Sequence, residues 1–350
     1  MTDDNRKTAA LIGAGMVAQT HIDACADAAR HVHLKAIVSR RPDRAEALAA
    51  AASDKIGAAV VHYSSVDDVA TDPQIDFAII ATPPNARIDL VSTLAAAGKH
   101  ILLEKPVGRT AQQAREVVQI CREAGVILGV VFQHRTRQAS RAARDLIAKG
   151  GLGRLVVAEF DVPWWRAQSY YDEPGRGTYA RDGGGVLISQ AIHTIDLGLS
   201  FTGPVASVTA MAQTTAFHEM ESEDYVVAGL TFENGAVGSL TASTASFPGR
   251  AESLRLFFEK ATLHLEAGML TATYRDGRVQ SFGEEAATGG GADPMAFTHA
   301  WHQEILENFV THLRCDAPLY ASGADAMAAH ELIDAIVRAA KSGTREVLIP

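Results

Sequence analysis

The chain has few cysteines and no long apolar run. Its 350 residues include only three cysteines, Cys25, Cys121 and Cys315, which are widely separated. This odd number argues against a disulfide framework or a zinc site and fits reduced thiols in a cytoplasm. No run approaches the roughly 18 apolar residues of a membrane span, and the polar residues 1–7 lack the apolar core of a signal peptide. We therefore expect a cytoplasmic protein without a membrane partner.

Positive charge is also scarce. The net charge of -9 argues against a general affinity for nucleic acid or anionic membranes, which requires a clustered basic surface. The composition is that of a globular protein, with 47% hydrophobic and 21% charged residues. A chain of 350 residues exceeds what one ordinary core supports, so we expect two domains.

A glycine-rich turn follows the first apolar run. Residues 8–12 read as a buried strand, residues 13–18 as a turn, and a helix-like stretch continues to about Arg30. Glycines at such a turn allow a tight bend and a close approach of a pyrophosphate, and amides at the helix start hold the phosphates. The pattern alone is equally compatible with an ordinary strand-to-helix turn. The predicted cofactor contacts here are Gly13, Gly15, Met16 and Val17.

The end of the second strand bears on the choice of coenzyme. Residues 33–38 read as that strand, and a site that prefers NAD places Asp or Glu at its end. This chain instead has Ser39, Arg40 and Arg41, with Arg44 beyond. Guanidinium groups suit phosphate, so we expect NADP to be preferred, with NAD or dual specificity open. Alternatively, these arginines are a solvated helix start.

Strands continue to alternate with helices up to residue 132. Residues 76–81, 100–103 and 126–132 read as strands, which predicts a mainly parallel, doubly wound sheet over residues 1–132. Ligands of such sheets bind at the carboxyl ends of the strands. The residues expected to converge there are Thr82, Pro83, Asn85, Glu104 and Lys105.

Residues 133–350 follow a different pattern. Seven runs with period two, between residues 155 and 274, predict a large, mostly antiparallel open sheet with flanking helices, an α+β domain. Residues 233–236 carry a strong hairpin signal. One face of the sheet is rich in Val, Thr and Ser, and we expect a homodimer or homotetramer to form through it. The amphipathic stretch 325–341 is expected to be a structural helix.

The order of these motifs resembles a known family. Residues 13–18, Thr82-Pro83, Gly98-Lys99-His100, Glu104-Lys105-Pro106, and Gly183-Gly184-Gly185 with His193 and Asp196 resemble the Gfo/Idh/MocA family of NAD(P)-dependent oxidoreductases over nearly the whole chain. The resemblance implies a Rossmann domain followed by an α/β domain with an open sheet. It also implies oxidation or reduction of sugars, cyclitols or related compounds.

The resemblance implies roles for individual residues. Lys105 falls on the catalytic lysine of the family, and His193 falls on its catalytic histidine. Ser39 and Arg44 match positions that hold the 2′-phosphate in members that use NADP. The chain departs from the pattern at Ser189, where the family often has an Asp four residues before the histidine. Members that act on N-acetylated nucleotide-sugar uronates also lack that Asp, and residues 165–193 look like theirs.

The expected chemistry is hydride transfer coupled to proton transfer. Histidine titrates near working pH, so His193 suits a general base for the substrate hydroxyl. Lys105 then holds the substrate oxygen, although a lysine with a depressed pKa could itself be the base. Asp196 is open as a surface residue, a structural partner or an orienting group.

A concentrated aromatic and basic stretch precedes the glycine triplet. Aromatic rings suit the C–H faces of sugars and arginines suit carboxylate or phosphate, which predicts a carbohydrate-like substrate, possibly acidic. The alternative is core aromatics with solvated arginines. The predicted substrate contacts are Lys105, Gln133, Trp165, Arg166, Tyr179, Ser189 and His193.

Two further features of the sequence allow other interpretations. His299 and His302, with Glu304 nearby, have a spacing that could suggest a metal, but no third ligand is apparent and we expect none. The leading hypothesis is an NAD(P)-dependent dehydrogenase or reductase of a sugar, uronate or cyclitol. An NAD-dependent enzyme that cleaves glycosides through transient oxidation, and a non-catalytic nucleotide sensor, remain alternatives.

Overall fold

The computed structural model describes residues 6–286 and 297–348. The chain divides into two compact units. Unit 1 comprises Met1–Gly108, Gln112–Gln133 and Thr298–Ala326, and unit 2 comprises Arg109–Ala111, His134–Phe297 and Met327–Pro350. The sequence expectation was one boundary at residue 132, whereas in this division residues 298–326 pack with the first unit. No helix in the described part of the chain is long and apolar enough to cross a membrane.

Unit 1 contains a six-stranded parallel sheet of order β3-β2-β1-β4-β5-β6. Its strands are β1 (Lys7–Ile12), β2 (Val32–Val38), β3 (Val61–Tyr63), β4 (Phe77–Ile80), β5 (His100–Glu104) and β6 (Leu128–Val131). All four residues of β4 are buried, as expected for a central strand covered on both faces. The order reverses between β1 and β4, and the carboxyl end of the sheet at that point is where such folds bind ligands.

Unit 2 contains a nine-stranded sheet of order β14-β13-β12-β11-β7-β10-β9-β8-β15. Its strands are β7 (Leu155–Pro163), β8 (Val205–Gln213), β9 (Tyr225–Phe232), β10 (Val237–Ser243), β11 (Ser253–Phe258), β12 (Ala261–Glu266), β13 (Met269–Tyr274), β14 (Val279–Gly283) and β15 (Glu346–Val347). All neighbouring pairs are antiparallel except β7 and β10. The predicted turn at residues 233–236 does join two antiparallel strands, with Gly235 at a φ of +86°.

Ten helices of α type occur in the described residues. They are α1 (Ala18–Asp27), α2 (Pro42–Ile56), α3 (Val66–Thr71), α4 (Arg87–Ala96), α5 (Ala111–Glu123), α6 (Gln138–Lys149), α7 (Gln168–Tyr171), α8 (Ile192–Thr202), α9 (Ala300–Cys315) and α10 (Gly323–Ser342). One-turn 3-10 helices span Pro84–Ala86 and Gln133–Thr136, and a π-helical segment, Leu187–Ala191, leads directly into α8.

The core of unit 1 includes residues distant in sequence. Phe309 of α9 packs its ring 5.3 Å from that of Phe77 on β4, and Ile305, Leu306 and Val310 of α9 join the same buried cluster. A helix that lies between two segments of unit 2 along the chain therefore completes the core of unit 1. The predicted fold class, a Rossmann-like parallel sheet followed by a mostly antiparallel open sheet, is confirmed.

Candidate active site

The glycine turn lies at the carboxyl end of β1. Gly13 has a φ of +115°, and a Cβ there would lie 2.9 Å from the carbonyl carbon of Ala81. Gly13 N–H donates to the carbonyl of Val38 at 2.8 Å, which ties the turn to the end of β2. Met16, next to the start of α1, is half exposed. Only glycine fits the first position, and the turn leaves an open cradle at the N-terminus of a helix, which suits a pyrophosphate.

The end of β2 is basic and open to solvent. Ser39 is partly exposed and accepts a hydrogen bond from Arg41 N–H at 3.3 Å, which turns the chain into α2. Arg40 and Arg44 are exposed. Asp43 lies in the first turn of α2, so a carboxylate is present near these guanidinium groups, although not at the end of the strand.

Arg87 links the ends of β4 and β5. Its buried guanidinium donates to the carbonyl of Thr82 at 2.7 and 3.1 Å, to the carbonyl of Glu104, and to that of Lys105 at 3.4 Å. The loop with Thr82, Pro83 and Asn85 and the segment with Lys105 are thus brought together at one edge of the sheet. The Lys105–Pro106 peptide bond is cis. Nothing in the sequence distinguished Arg87 from the other arginines of helix starts.

Glu104 lies at the centre of a buried cluster in unit 1. Its Oε1 is 3.0 Å from Nε2 of His21 on α1 and 3.3 Å from Nε2 of His302 on α9. Burial alone would raise the pKa of Glu104, but the hydrogen bonds from His21 and His302 outweigh it, so the pKa lies well below the usual range. Burial lowers the pKa of His302, although Glu104 opposes that shift. Glu104, predicted as a cofactor contact, is therefore engaged with two imidazoles.

Two histidines and one carboxylate are also a possible ligand set for a metal ion. The positive charges of Arg87 and Lys105 act on the same groups, however: Arg87 interacts electrostatically with Glu104, and Lys105 lowers the pKa of His302. A divalent cation would add to those charges inside a region with low dielectric constant. We interpret the cluster as a hydrogen-bonded one.

His299, His302 and Glu304, whose spacing in the sequence could suggest a metal, each contact a different partner. His299 pairs with Asp27 through a contact of 2.7 Å, Glu304 accepts a hydrogen bond from the Tyr320 hydroxyl at 2.8 Å, and His302 faces Glu104. His21, four residues into α1, is the residue that sequence reasoning missed; its partner Glu104 is 83 positions away.

His193 lies near the start of α8 in unit 2. Its ring, 5% exposed, stacks on that of His134, with centroids 4.9 Å apart and planes 24° apart. Three residues further on, Asp196 receives two hydrogen bonds of 2.7 Å from Arg135. Asp196 is 1% exposed, so of the alternatives open for it, a surface residue is wrong and a structural partner is correct.

The glycine triplet allows another chain segment to approach the start of this helix. A Cβ on Gly183 would lie 2.4 Å from the carbonyl oxygen of Arg109, and one on Gly185 would lie 1.8 Å from that of Glu223. The Glu223 carboxylate accepts hydrogen bonds from the N–H groups of Gly185 at 3.3 Å and Leu187 at 3.2 Å. Burial raises the pKa of Glu223, while these hydrogen bonds act in the opposite direction. Glu223 thus orients the segment that carries Ser189 and His193.

The predicted substrate contacts occupy several environments. Trp165 packs against the rings of Phe217, His218 and Phe247, with centroid distances of 5.6, 5.8 and 5.3 Å. Arg166 is 3% exposed and lies 5.3 and 5.7 Å from the ring centroids of Trp164 and Tyr170.

Three further predicted contacts differ in exposure. Tyr179 is partly exposed, with Lys341 Nζ 5.2 Å from its ring centroid. Ser189 is partly exposed on the π-helical segment, and Gln133, at the end of the unit 1 sheet, is buried.

Two arginines of the basic stretch have partners within it. Arg176 and Arg181 pair with the same carboxylate, Glu173, at 2.6 and 2.7 Å. These guanidinium groups are therefore partly neutralised by the chain itself. The alternative predicted for the stretch was solvated arginines, whereas these two are paired with Glu173.

Comparison with known proteins identifies the chain. The family description "Oxidoreductase family, NAD-binding Rossmann fold" matches residues 7–132, and "GFO/IDH/MocA C-terminal domain" matches residues 140–264. The chain belongs to the GFO/IDH/MocA family. It is accordingly an NAD-binding oxidoreductase, and the resemblance predicted from its motifs is confirmed.

Named relatives support this assignment. Over 328 residues the chain is 27% identical to the rhizopine catabolism protein MocA of Rhizobium meliloti, covering 93% of this chain and 92% of that protein. It is 31% identical to the 1,5-anhydro-D-fructose reductase of Ensifer adhaerens over 211 residues, or 57% of this chain and 60% of the other. The solved structure of the WlbA dehydrogenase from Bordetella pertussis, in complex with NADH and UDP-GlcNAcA, matches with a TM-score of 0.81, 28% identity and 99% coverage of both chains.

The residues of unit 1 fit the dinucleotide that this family binds. The turn at Gly13 provides a cradle that a Cβ would fill, and it lies beside the first residues of α1. Ser189, where the chain departs from the family pattern, lies on the π-helical segment, one turn before His193.

Proposed function

We propose that this protein transfers a hydride between nicotinamide and a hydroxyl or keto carbon of a sugar, a uronate or a cyclitol. The observation that carries the proposal is that a GFO/IDH/MocA chain retains both Lys105, directly after β5, and His193, near the start of α8. Bound nicotinamide supplies the hydride acceptor or donor. A nucleotide-linked uronate is the favoured substrate class, because Ser189 replaces the common Asp and the WlbA structure, 28% identical, holds UDP-GlcNAcA.

The two residues divide the proton chemistry. In the oxidising direction, His193 accepts the proton of the substrate hydroxyl while the hydride leaves the same carbon. The ammonium group of Lys105 donates a hydrogen bond to the substrate oxygen and stabilises the negative charge that develops on it. During reduction the two groups take the reverse roles, and His193 donates a proton to the substrate oxygen. The proposed substrate contacts beside them are Gln133, Trp165, Arg166, Tyr179 and Ser189.

For the coenzyme we propose a preference for NADP over NAD. The support is the exposed pair Arg40 and Arg44 with Ser39 at the end of β2, where no carboxylate ends the strand. The family binds NAD and the WlbA structure holds NADH, so both coenzymes are expected to bind. The proposed contacts are Gly13, Gly15, Met16, Val17, Ser39, Arg40, Arg44, Thr82, Pro83, Asn85, Glu104 and Lys105.

We propose that the protein is cytoplasmic. We also propose that it forms a homodimer or homotetramer through the outer face of the nine-stranded sheet. Cys25 and Cys121 are buried free thiols, and burial raises the pKa of each to about 12, so they are unreactive and suit a reducing compartment. Met211, Val227 and Thr241 are neighbours across three strands of the outer face.

The decisive experiment follows absorbance at 340 nm with NAD or NADP and a panel of sugars, UDP-linked uronates and cyclitols. Turnover with at least one of them is expected, with NADP binding more tightly than NAD. Lys105→Ala should still bind coenzyme but lose about 100-fold or more in turnover. Lys149→Ala, a surface change on α6, is the matched control and should leave turnover unaffected.

Three outcomes would overturn parts of the proposal. Unchanged turnover in Lys105→Ala would remove its catalytic role. Release of an aglycone without net change in coenzyme would favour the glycoside-cleaving alternative. Coenzyme binding without turnover of any substrate would favour the nucleotide sensor.

A further inference from the structure

His193 has a second imidazole stacked on it. The rings of His134 and His193 lie 4.9 Å apart at 24°, and the residues are 2% and 5% exposed. The residues next to this pair hold the two backbone segments together, because Arg135 follows His134 and grips Asp196, one turn after His193, with two hydrogen bonds of 2.7 Å. A bidentate guanidinium–carboxylate pair fixes orientation as well as distance. The stack is thus an anchored feature of unit 2.

A buried carboxylate, Glu252, lies close to His134. Oε1 of Glu252, 5% exposed, lies 3.9 Å from Nε2 of His134, a distance suited to charge attraction rather than a direct hydrogen bond. Arg137 contacts the same oxygen at 2.5 Å, and the indole of Trp164 donates to the other oxygen at 3.3 Å. These contacts hold Glu252 in place beside His134.

We propose that His134 is a positioning residue for proton transfer: the two stacked rings together carry one added proton rather than two, and Glu252 favours placing that proton on His134. His193 is then kept neutral and able to accept the substrate proton. The inference rests on the proposed role of His193 in the reaction. With this arrangement, His193 can act as the base without an Asp at position 189.

The charges around the two rings support this arrangement. Arg135 is paired with Asp196, and Arg137 with Glu252, so each guanidinium is matched by a carboxylate. Glu266 also lines the small cavity beside His134, and it adds negative charge on that side. Two protonated imidazoles at this separation repel each other, and such a pair takes up its protons in two separate steps. The proposal assigns the first proton to His134, whose Nε2 lies 3.9 Å from Glu252.

The test is an NMR titration of His193 in the full-length protein with NADH bound, using 13C-labelled histidine. His193→Asn assigns the signal. In His134→Gln the competing charge is gone, and the pKa of His193 should rise by about one unit. His134→Phe keeps a stacked ring without a charge and should show the same rise. Glu252→Gln, which retains both imidazoles, should show a smaller rise, and it serves if the His134 variants do not fold.

The control is His62→Gln, a partly exposed histidine on β3 of unit 1 whose replacement should leave the titration of His193 unchanged. An unchanged pKa of His193 in the folded His134 variants would overturn the inference, as would a wild-type value in His134→Phe alone. The NMR measurement does not depend on turnover. A shift in the pKa of His193 without any hydride transfer would support this inference and remove the proposed function. Hydride transfer without that shift would support the proposed function and overturn this inference. Where turnover is found, the acid limb of kcat/KM should move to higher pH in His134→Gln.

Discussion

Glu104 belongs to a short sequence motif, but the residues that contact its carboxylate lie outside that motif. The motif predicted a polar residue beside the coenzyme, whereas in the structure its carboxylate is 6% exposed and bound by His21 and His302. A buried carboxylate is tolerated only with such partners. The glutamate therefore stabilises the end of β5, directly before Lys105.

The first prediction concerns this carboxylate. The pKa of Glu104 is lowered in the folded protein, so its contribution to stability is complete above the unfolded pKa of about 4.3 and is lost as pH falls through the folded pKa. Glu104→Gln should reduce the free energy of unfolding by about 3 kcal/mol at pH 7. The deficit should shrink as the pH is lowered below about 4.3, because the wild type loses the same contribution there.

Urea unfolding of both proteins at pH 7 and below pH 4 measures this difference. Glu46→Gln is the matched control, because Glu46 also pairs with a histidine, His62 at 3.7 Å, but its side chain is 69% exposed. Exposed pairs contribute little, so no measurable loss is expected from the control. Equal losses in the two variants, or a deficit that does not vary with pH, would contradict the interpretation of the cluster.

At the scale of single residues, the sequence carries more information on the proposed reactive groups than on their neighbours. Lys105 and His193 stand in short motifs, which can be read without a structure. His21, His134 and Glu252 become partners only after folding; Glu252, for example, is 115 positions from Arg137. No local pattern carries information on such pairs, and an Asp at position 189 was the only orienting group that a motif could have revealed.

At the scale of elements, the glycine triplet and Glu223 form one unit of structure. The backbone of Glu223 accepts a hydrogen bond of 2.9 Å from Val186, between the two N–H groups that its side chain binds. This close approach requires that residue 185 has no side chain. The start of the π-helical segment, and with it the direction of α8, is therefore set by contacts with a distant loop.

The second prediction follows from that contact. Gly185→Ala should destabilise the protein by about 3 kcal/mol or more, because the added methyl would lie 1.8 Å from the Glu223 carbonyl oxygen and the two segments must separate. The comparison is Gly235→Ala in the turn between β9 and β10, where nothing lies within 4 Å of the added atom and the φ of +86° is the only cost. That cost is about 1 kcal/mol.

Thermal and urea unfolding compare the two variants directly. If Gly185→Ala still folds, its turnover should fall more than that of Gly235→Ala, because His193 is displaced with the helix. Similar losses of stability in both would show that the close approach at Gly185 is relaxed easily.

Periodicity predicted the longer elements and failed for the short or irregular ones. The central strands of both sheets have clear apolar or alternating patterns and were predicted. β3 and β15, with three and two residues, are too short for a period to be visible. The π-helical segment has the apolar composition of an ordinary helix, so the sequence offers no sign of its wider turn.

At the scale of the whole molecule, the chain returns to its first unit near the end. α9 supplies Phe309 and its neighbours to the core beneath β4, and His302 to the Glu104 cluster. Sequence continuity placed this helix with the second domain, because its amphipathic pattern shows that one face is buried but not against which sheet.

The last prediction concerns assembly through the outer face of the nine-stranded sheet. Met211 and Val227 are 48% and 37% exposed, and Thr241 is their neighbour on β10. Large exposed apolar areas on a sheet favour association, and an unpaired charge buried in such an interface is costly. Val227→Glu should therefore weaken association by at least about 100-fold.

Val61→Glu is the matched control, since Val61 is 42% exposed on β3, the edge strand of the unit 1 sheet. Sedimentation velocity should give a dimer or tetramer for the wild type and for Val61→Glu, and a smaller species for Val227→Glu. A monomeric wild type would remove the proposed assembly. An unchanged mass for Val227→Glu would place the interface on another surface.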